Sequence, residues 1–184
     1  MTTTPDRDHH AHERLGEPRP GARVLLLDDA ELVLLIHAHD PHAPDHRWWE
    51  LPGGGIGDGE SSADACVREL TEETGLADVK VGPLIWRRRS VFHYKGRDHH
   101  RTDDVHLARL VGDTRTATAW TANERTTVLG ERWWTLADIE TATAAGELFV
   151  PRALPTLLAD VLSGRHRGVI EFFEDTRSRQ SNLG

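Results

Sequence analysis

A chain of 184 residues with 38% hydrophobic and 28% charged content is read most simply as one domain with polar ends. Its formal net charge of −8 argues against nucleic acid as a bulk electrostatic partner, because a phosphate backbone asks for a basic surface. One cysteine, Cys66, rules out an intramolecular disulfide and suits a reducing cytoplasm, and no apolar run approaches the length of a membrane span.

Residues 1–20 are polar, proline-containing and aperiodic, and they read as a flexible tail. They hold no apolar leader, so a cytoplasmic location is expected. His9, His10 and His12 read as solvated residues of that arm. Segments 22–28 (ARVLLLD) and 31–37 (ELVLLIH) are unbroken aliphatic runs around Asp28-Asp29-Ala30, the pattern of two buried strands in a hairpin. Residues 38–46 (AHDPHAPDH) read as a loop near the substrate mouth. His37, His39, His42 and His46 cluster there in sequence, but two prolines, no cysteine and no helical context speak against structural zinc. A short strand is expected at 47–51 (RWWEL).

Residues 54–76 read GGIGDGESSADACVRELTEETGL. The glycines let backbone approach a ligand closely, and a helix is expected from Ser61 or Ser62, with Ser61 and Asp64 spaced as a capping box. Ala63, Cys66, Val67, Leu70 and Thr74 fall at helical spacing as its buried stripe, and Gly75 can close it in a left-handed cap. Cys66 therefore reads as a small core residue. Glu69, Glu72 and Glu73 stand at i, i+3 and i+4, so they share one face. Three neighbouring carboxylates repel one another unless something positive sits among them. Hard divalent cations take oxygen ligands and keep phosphate oxygens in their remaining positions, so the local chemistry points to a metal that meets a phosphate.

Downstream, 79–94 (VKVGPLIWRRRSVFHY) suits strand on either side of a Gly-Pro break. Lys95-Gly96-Arg97 can turn the chain, the polar 97–103 reads as an exposed hairpin tip, and 104–111 reads as the returning strand. Residues 112–130 are Thr-rich and read mainly as loop. A strand is expected at 131–135 (ERWWT), a helix at 136–145 ended by Gly146, and another at 152–162 with Pro155 in its first turn. In 164–184, VIEFFEDT can add a strand, whereas the last residues read as loose.

Gly54, Glu60, Arg68-Glu69, Leu70, Glu72-Glu73, Gly75 and Leu76, entered through Pro52-Gly53-Gly54, fill every fixed position of the signature box of the Nudix hydrolases. On those residues the chain resembles that family. The resemblance implies an α/β fold, an α/β/α sandwich around a mixed β-sheet with the box as a loop–helix–loop. It places the domain at 21–163, with a C-terminal extension, 164–184, that is partly ordered or flexible. It also implies Mg²⁺- or Mn²⁺-dependent hydrolysis of a phosphoanhydride bond in a nucleoside diphosphate linked to another moiety. The substrate is then a small phosphorylated molecule, and homodimers are common among such relatives.

By motif position the resemblance makes Glu69 and Glu73 metal ligands, Glu72 a ligand directly or through water, and the Gly54 carbonyl the completion of the shell. Glu69, Glu72 and Arg68 form the catalytic set, with the general base left open. Arg68 and Glu60 pair to hold the carboxylates in a productive rotamer. Glu124 is the first candidate for an acid contributed from outside the box; Glu131, Asp103 and Asp104 are the alternatives. In the pairs Trp48-Trp49 and Trp133-Trp134, strand alternation sends one ring inward and leaves the other free to stack on a base. Arg87, Arg88 and Arg89 are read either as a grip on a distal phosphate or as a solvated strand end. The competing function is a non-catalytic Nudix domain that binds a nucleotide or sugar nucleotide as a regulator. The retention of Glu60, Glu69, Glu72 and Glu73 speaks for the enzyme, and the lone buried Cys66 speaks against an isomerase on the same scaffold.

Overall fold

The structure, a computed structural model, describes residues 16–177. The tail expected at 1–20 thus lies mostly outside the described residues, and a strand already begins at Arg19. The two aliphatic runs form the expected antiparallel hairpin, β1 (Arg19–Leu27) and β2 (Val33–Asp40). Asp28 holds its turn by accepting the backbone N–H groups of Ala30 and Leu32 at 2.9 and 2.8 Å.

The stretch 38–46 is not a loop. β2 runs on to Asp40, and β3 (Ala43–Glu50) returns antiparallel to it after a two-residue turn. Buried Asp40 makes that turn by accepting N–H groups from His42 and, across the fold, Lys95. The polar composition that suggested a loop is therefore the chemistry of one tight corner. Its histidines scatter: His37 stacks on Trp49 with ring centroids 4.3 Å apart, while a His39 ring nitrogen bonds the Thr126 carbonyl.

β4 (Gly53–Gly55) pairs with β1 and leads into α1 (Ser62–Thr74). Ser61 and Asp64 cap the helix reciprocally, with Asp64 N–H donating to Ser61 Oγ at 3.1 Å and that hydroxyl donating back to the carboxylate at 2.6 Å. A cap of this kind contributes about 1 kcal/mol. Gly75 ends the helix at φ 75°, as expected.

β5 (Val79–Tyr94) is one long strand; the Gly-Pro pair produces irregular register near Val81–Trp86 rather than a break. The hairpin turns on Lys95 and Gly96, and β6 (Arg97–Leu110) starts at once, so 97–103 is strand and not an exposed tip. Alternation explains the misreading: polar residues face a cleft on one side of this strand, while His100 is buried between them on the other. Then follow α2 (Glu124–Thr127), β7 (Val128–Trp134), α3 (Leu136–Ala144), β8 (Phe149–Val150), α4 (Leu154–Leu162) and β9 (Ile170–Asp175). β9 lies parallel on β5, which gives the VIEFFEDT segment its place.

The mixed sheet runs β8-β3-β2-β1-β6-β5-β9, with β4 on β1 and β7 on β2. Its two faces carry two cores. Ala22, Val24 and Leu26 of β1 pack with Leu34 against Ala65, Cys66 and Leu70 of α1. Leu25 and Leu27 point the other way, toward Ile139 of α3 and Leu157 and Leu158 of α4. Unbroken aliphatic strands are what a sheet covered on both faces requires, and the result is the expected sandwich. One detail of α1 differs: Ala65 is fully buried, whereas Val67 is 40% exposed. The helix is rotated so that its buried arc takes in Glu69 and Glu73 beside Leu70, which a count of apolar residues alone does not reveal. No helix among the described residues is long and apolar enough to cross a membrane.

Candidate active site

The box forms a bend of glycine backbone laid on a row of acids. Gly53 adopts φ 136°, and a Cβ there would run into the Ala22 carbonyl oxygen of β1. At Gly54 a Cβ would stand 2.5 Å from both carboxylate oxygens of Glu69. Only hydrogen side chains let β4 lie this close to both neighbours. From beneath, Glu73 Oε2 accepts the Gly53 N–H at 2.8 Å. Glu69 and Glu73 are both buried here.

Arg68 ties the acids together. Its Nε and Nη2 donate to the two oxygens of Glu60 at 2.8 and 2.9 Å, a bidentate fork. Nη1 donates to Glu69 Oε1 at 2.8 Å and to Glu72 Oε2 at 3.3 Å, and Nη2 also reaches the Gly55 carbonyl at 2.9 Å. Arg68's hydrogen bonds, helped by the Gly57 N–H, pull the Glu60 carboxyl down to about 2. The same hydrogen bonds, from Glu60 and then Glu69, raise the guanidinium above its usual range. Glu60 and Arg68 thus form a bidentate ion pair whose guanidinium also reaches Glu69 and Glu72.

The far end of α1 is held by the segment that looked like featureless loop. The last carbonyls of a helix have no intrahelical donor, and residues 115–120 supply donors to them. Ala119 N–H bonds the Glu72 carbonyl at 2.8 Å, Trp120 Nε1 the Glu73 carbonyl at 2.7 Å, and Arg115 Nη1 the Thr74 carbonyl at 3.2 Å. Arg115 also brings positive charge to the negative end of the helix dipole.

Above the glycine bend opens a cleft of about 720 Å³. Glu73 lines it with Gly53, Gly54 and Gly55; Glu124 lines it from α2. Glu69 lies beneath Gly54 rather than on the lining, and Glu72, half exposed, sits on the Arg68 side. Burial is the main force that pushes the Glu73 carboxyl up to about 8; Glu50 and Glu69 add to it, while Arg23 and the Gly53 N–H oppose it. Arg23 stands beside the acids with its side chain 13% exposed, with Glu50 at 3.5 Å and Asp103 at 3.9 Å. Burial alone would lower its pKa, but Glu50, Asp103, Glu73 and Glu69 outweigh this and raise it.

Among the described residues no three His, Cys, Asp or Glu side chains are already gathered as a metal cage. The donor chemistry still fits a hard divalent cation. Two buried carboxylates lie one helical turn apart, and burial disfavours ionisation of one of them, a penalty that a cation would relieve. Glu69 Oε2 and Glu73 Oε1 take no hydrogen bond among the described residues. The Gly54 carbonyl accepts Arg101 Nη2 at 3.2 Å and lies opposite Ala22 in the β1–β4 ladder, so a cation there would compete with donors already in place.

Other expected residues separate. Glu124 Oε2 accepts the Thr121 N–H at 2.6 Å, so this acid closes its own turn as well as facing the cleft. Glu131 pairs with Arg115 at 2.7 Å, Asp104 with Arg87 at 2.8 Å, and buried Asp103 with Arg88 at 3.5 Å. The arginine run is not a phosphate grip as a unit: Arg87 and Arg88 are bound to Asp104 and Glu174, and alternation leaves Arg89 exposed. Of the tryptophans, Trp48 lines the cleft and Trp49 packs edge-on against Trp134. Trp133 is not free for a ligand, because it packs on the α1-side core while Trp134 packs on the other. Sequence reading passed over Arg23 and Arg101, which hydrophobic pattern treats as interruptions of a strand. A lone arginine inside an aliphatic run was the available signal.

The family pattern described as NUDIX domain matches residues 17–153. The chain belongs to the NUDIX domain family. A protein of Sphingopyxis alaskensis named RNA pyrophosphohydrolase is 32% identical over 168 residues, covering 84% of this chain and 92% of that one. A Bartonella quintana protein of the same name is 47% identical over 61 residues, and the match covers 33% of each chain, so this chain spans about a third of the length of that relative. In solved structures the same fold appears in a MutT protein from Methanosarcina mazei, with TM-score 0.57 and 18% identity over 83% of this chain and 99% of that one. It appears again in an ADP-ribose pyrophosphatase from Streptococcus suis, with TM-score 0.53 and 20% identity over 86% and 100%.

Proposed function

We propose that this Nudix chain hydrolyses a phosphoanhydride bond in a nucleoside diphosphate derivative, with Mg²⁺ or Mn²⁺ held by Glu69, Glu73, Glu72 and the Gly54 carbonyl. The observation that carries the reading is the set of acids fixed by Arg68 and Gly53 against the floor of a cleft. The relatives named pyrophosphohydrolase support it. When bound, a divalent cation neutralises phosphate charge and acidifies the attacking water.

The chain's own residues supply position and a proton acceptor. Arg68 holds Glu69 and Glu72 from one side, and both oxygens of Glu69 lie against the Gly54 backbone. Arg23 places fixed positive charge beside the buried acids, where phosphate oxygens would otherwise meet only carboxylates. Glu72 is the box carboxylate with most freedom to turn, its side chain 38% exposed and its Arg68 bond the longest of the set. That suits it to take the proton of the attacking water. A domain kept only for binding has no use for this constraint, yet all four box acids remain engaged.

The test is a panel of ADP-ribose, a nucleoside triphosphate, a dinucleoside tetraphosphate and a sugar nucleotide, each incubated with Mn²⁺ or Mg²⁺ and its nucleotide, sugar-phosphate and pyrophosphate products resolved by anion-exchange chromatography. At least one compound is expected to be cleaved, and chelation with EDTA to stop the cleavage. A panel left intact, or turnover indifferent to the chelator, overturns the proposal.

A further inference from the structure

The net charge of −8 conceals a local reversal. Arg19, Arg23, Lys95, Arg97 and Arg101 line the cleft against Glu50, Glu73 and Glu124. Arg23 is balanced by Glu50 and Asp103 at the floor, and Glu124 is bound to the Thr121 N–H. The other cations form a row. Strand alternation puts Arg97, His99 and Arg101 on one face of β6, and Arg19 of β1 is the register partner of Arg101. From Arg97 to Arg101 the strand advances roughly 13 Å.

The two ends of the row differ. Arg101 abuts the chemistry, with Nη2 on the Gly54 carbonyl at 3.2 Å and near Asp103 Oδ1 at 3.3 Å. At the other end stand Arg97 and Lys95, whose ammonium bonds Asn123 Oδ1 and lies 5.5 Å from the Tyr94 ring centroid. Arg19 and Arg97 are exposed and enter no ion pair among the described residues. Beside the row, Trp48 and Tyr94 meet edge to face at 6.3 Å and offer flat surface to a base.

A diphosphate diester such as ADP-ribose carries both of its charges in the scissile linkage, at the floor. Its sugar would leave Arg97, Lys95 and Arg19 facing neutral groups. A third phosphate and any beyond it extend negative charge along the row, where an exposed guanidinium can form a charge-assisted, bidentate bond. We infer that the substrate class is a nucleotide bearing three or more phosphates, and that Arg19, Arg97 and Lys95 grip the phosphates beyond the scissile pair and set specificity. This rests on the reading of the cleft floor as a pyrophosphohydrolase site. The polyphosphate could come from a free nucleotide or from the 5′ end of an RNA.

The experiment compares the wild-type chain with Arg19→Gln/Arg97→Gln on three substrates with Mn²⁺: ADP-ribose, a nucleoside triphosphate and a short 5′-triphosphorylated RNA. In the wild type, kcat/KM for a triphosphate is expected to exceed that for ADP-ribose by about tenfold or more, whichever source is preferred. The double variant is expected to raise KM for the triphosphates about tenfold with kcat within about threefold, bringing the preference near parity. Arg19→Lys/Arg97→Lys should recover part of the loss. Calorimetry with inorganic tripolyphosphate and pyrophosphate, without metal, gives a readout free of turnover. The double variant is expected to weaken tripolyphosphate several times more than pyrophosphate. If nothing in the panel is cleaved, the hydrolase reading fails, and the tripolyphosphate arm still decides the inference. A wild type that prefers ADP-ribose, or tripolyphosphate binding indifferent to Arg19 and Arg97, overturns it.

Discussion

The floor of the cleft, with the acids held beneath it, and its β1–β6 wall are both crowded with charge, but they handle it in opposite ways. Beneath the floor, Glu60, Glu69 and Glu72 all meet one guanidinium, and Glu73, which reaches the lining, meets a backbone N–H, at distances of 2.8 to 3.3 Å. On the wall, Arg19 and Arg97 stand in solvent without a counter-ion among the described residues. Groups that must present lone pairs in a set geometry need neighbours that fix them. Groups that must receive a flexible anionic chain do better unpaired, since no internal ion pair has to break first. The difference separates a part built for chemistry from a part suited to choosing what reaches it.

The sharpest way to break that comparison is to disturb the floor alone. Glu69→Gln or Glu73→Gln is expected to lower kcat about 10²–10⁴-fold while far-UV circular dichroism stays native. Gly54→Ala tests the same point without touching an acid, because its Cβ would stand 2.5 Å from the Glu69 carboxylate. A loss approaching that of Glu69→Gln is expected; near-normal turnover would mean that Glu69 is free to move and does not matter where it is.

A milder disturbance is Arg68→Lys, which keeps the charge and loses the fork that spans Glu60, Glu69 and Glu72. About 10–100-fold in kcat or in Mn²⁺ affinity is expected to go, with KM for substrate little changed. A change confined to KM would move Arg68 from the floor's scaffold to substrate binding.

The smallest expected effect concerns stability in the chelated protein. Burial raises the Glu73 carboxyl to about 8 in the fold, above its value in the unfolded chain. A group raised in this way favours the fold fully below its unfolded pKa, and the contribution is lost as pH rises through about 8. Thermal melts in EDTA should therefore decline between pH 6 and pH 9 in the wild type and decline less in Glu73→Gln. The variant is expected to melt about 3 °C higher at pH 9. Identical pH profiles would show that the carboxylate is better solvated than its burial implies.

The same contrast marks what was legible in sequence. The floor is local: Glu60 to Gly75 is one loop and one helix, so spacing alone placed the acids on a face and Ser61 and Gly75 at the ends. The strands of the sandwich were legible where aliphatic residues ran unbroken. The wall is not local, since Arg19 and Arg101 become neighbours only through the parallel β1–β6 ladder. Residues 38–46 and 97–103 passed for loops because their polar side chains serve a buried corner at Asp40 and a cleft. The Thr-rich segment passed for slack chain because its role, capping the last turn of α1, is carried by backbone N–H groups and two side chains with no periodic signature. Hydrophobic spacing also misjudged Val67, since the helix turns to bury acids that a purely structural helix would expose.

Titrating Mn²⁺ into the protein by electron paramagnetic resonance, with a non-hydrolysable pyrophosphate analogue present, asks most directly whether α1 and the glycine bend hold a cation against phosphate. The wild type should take up the ion in a saturable way that strengthens with the analogue, and Glu69→Gln/Glu73→Gln should bind it at least about 100-fold more weakly. Equal uptake by both proteins, or uptake indifferent to the analogue, would place the metal elsewhere and contradict the role given to these carboxylates.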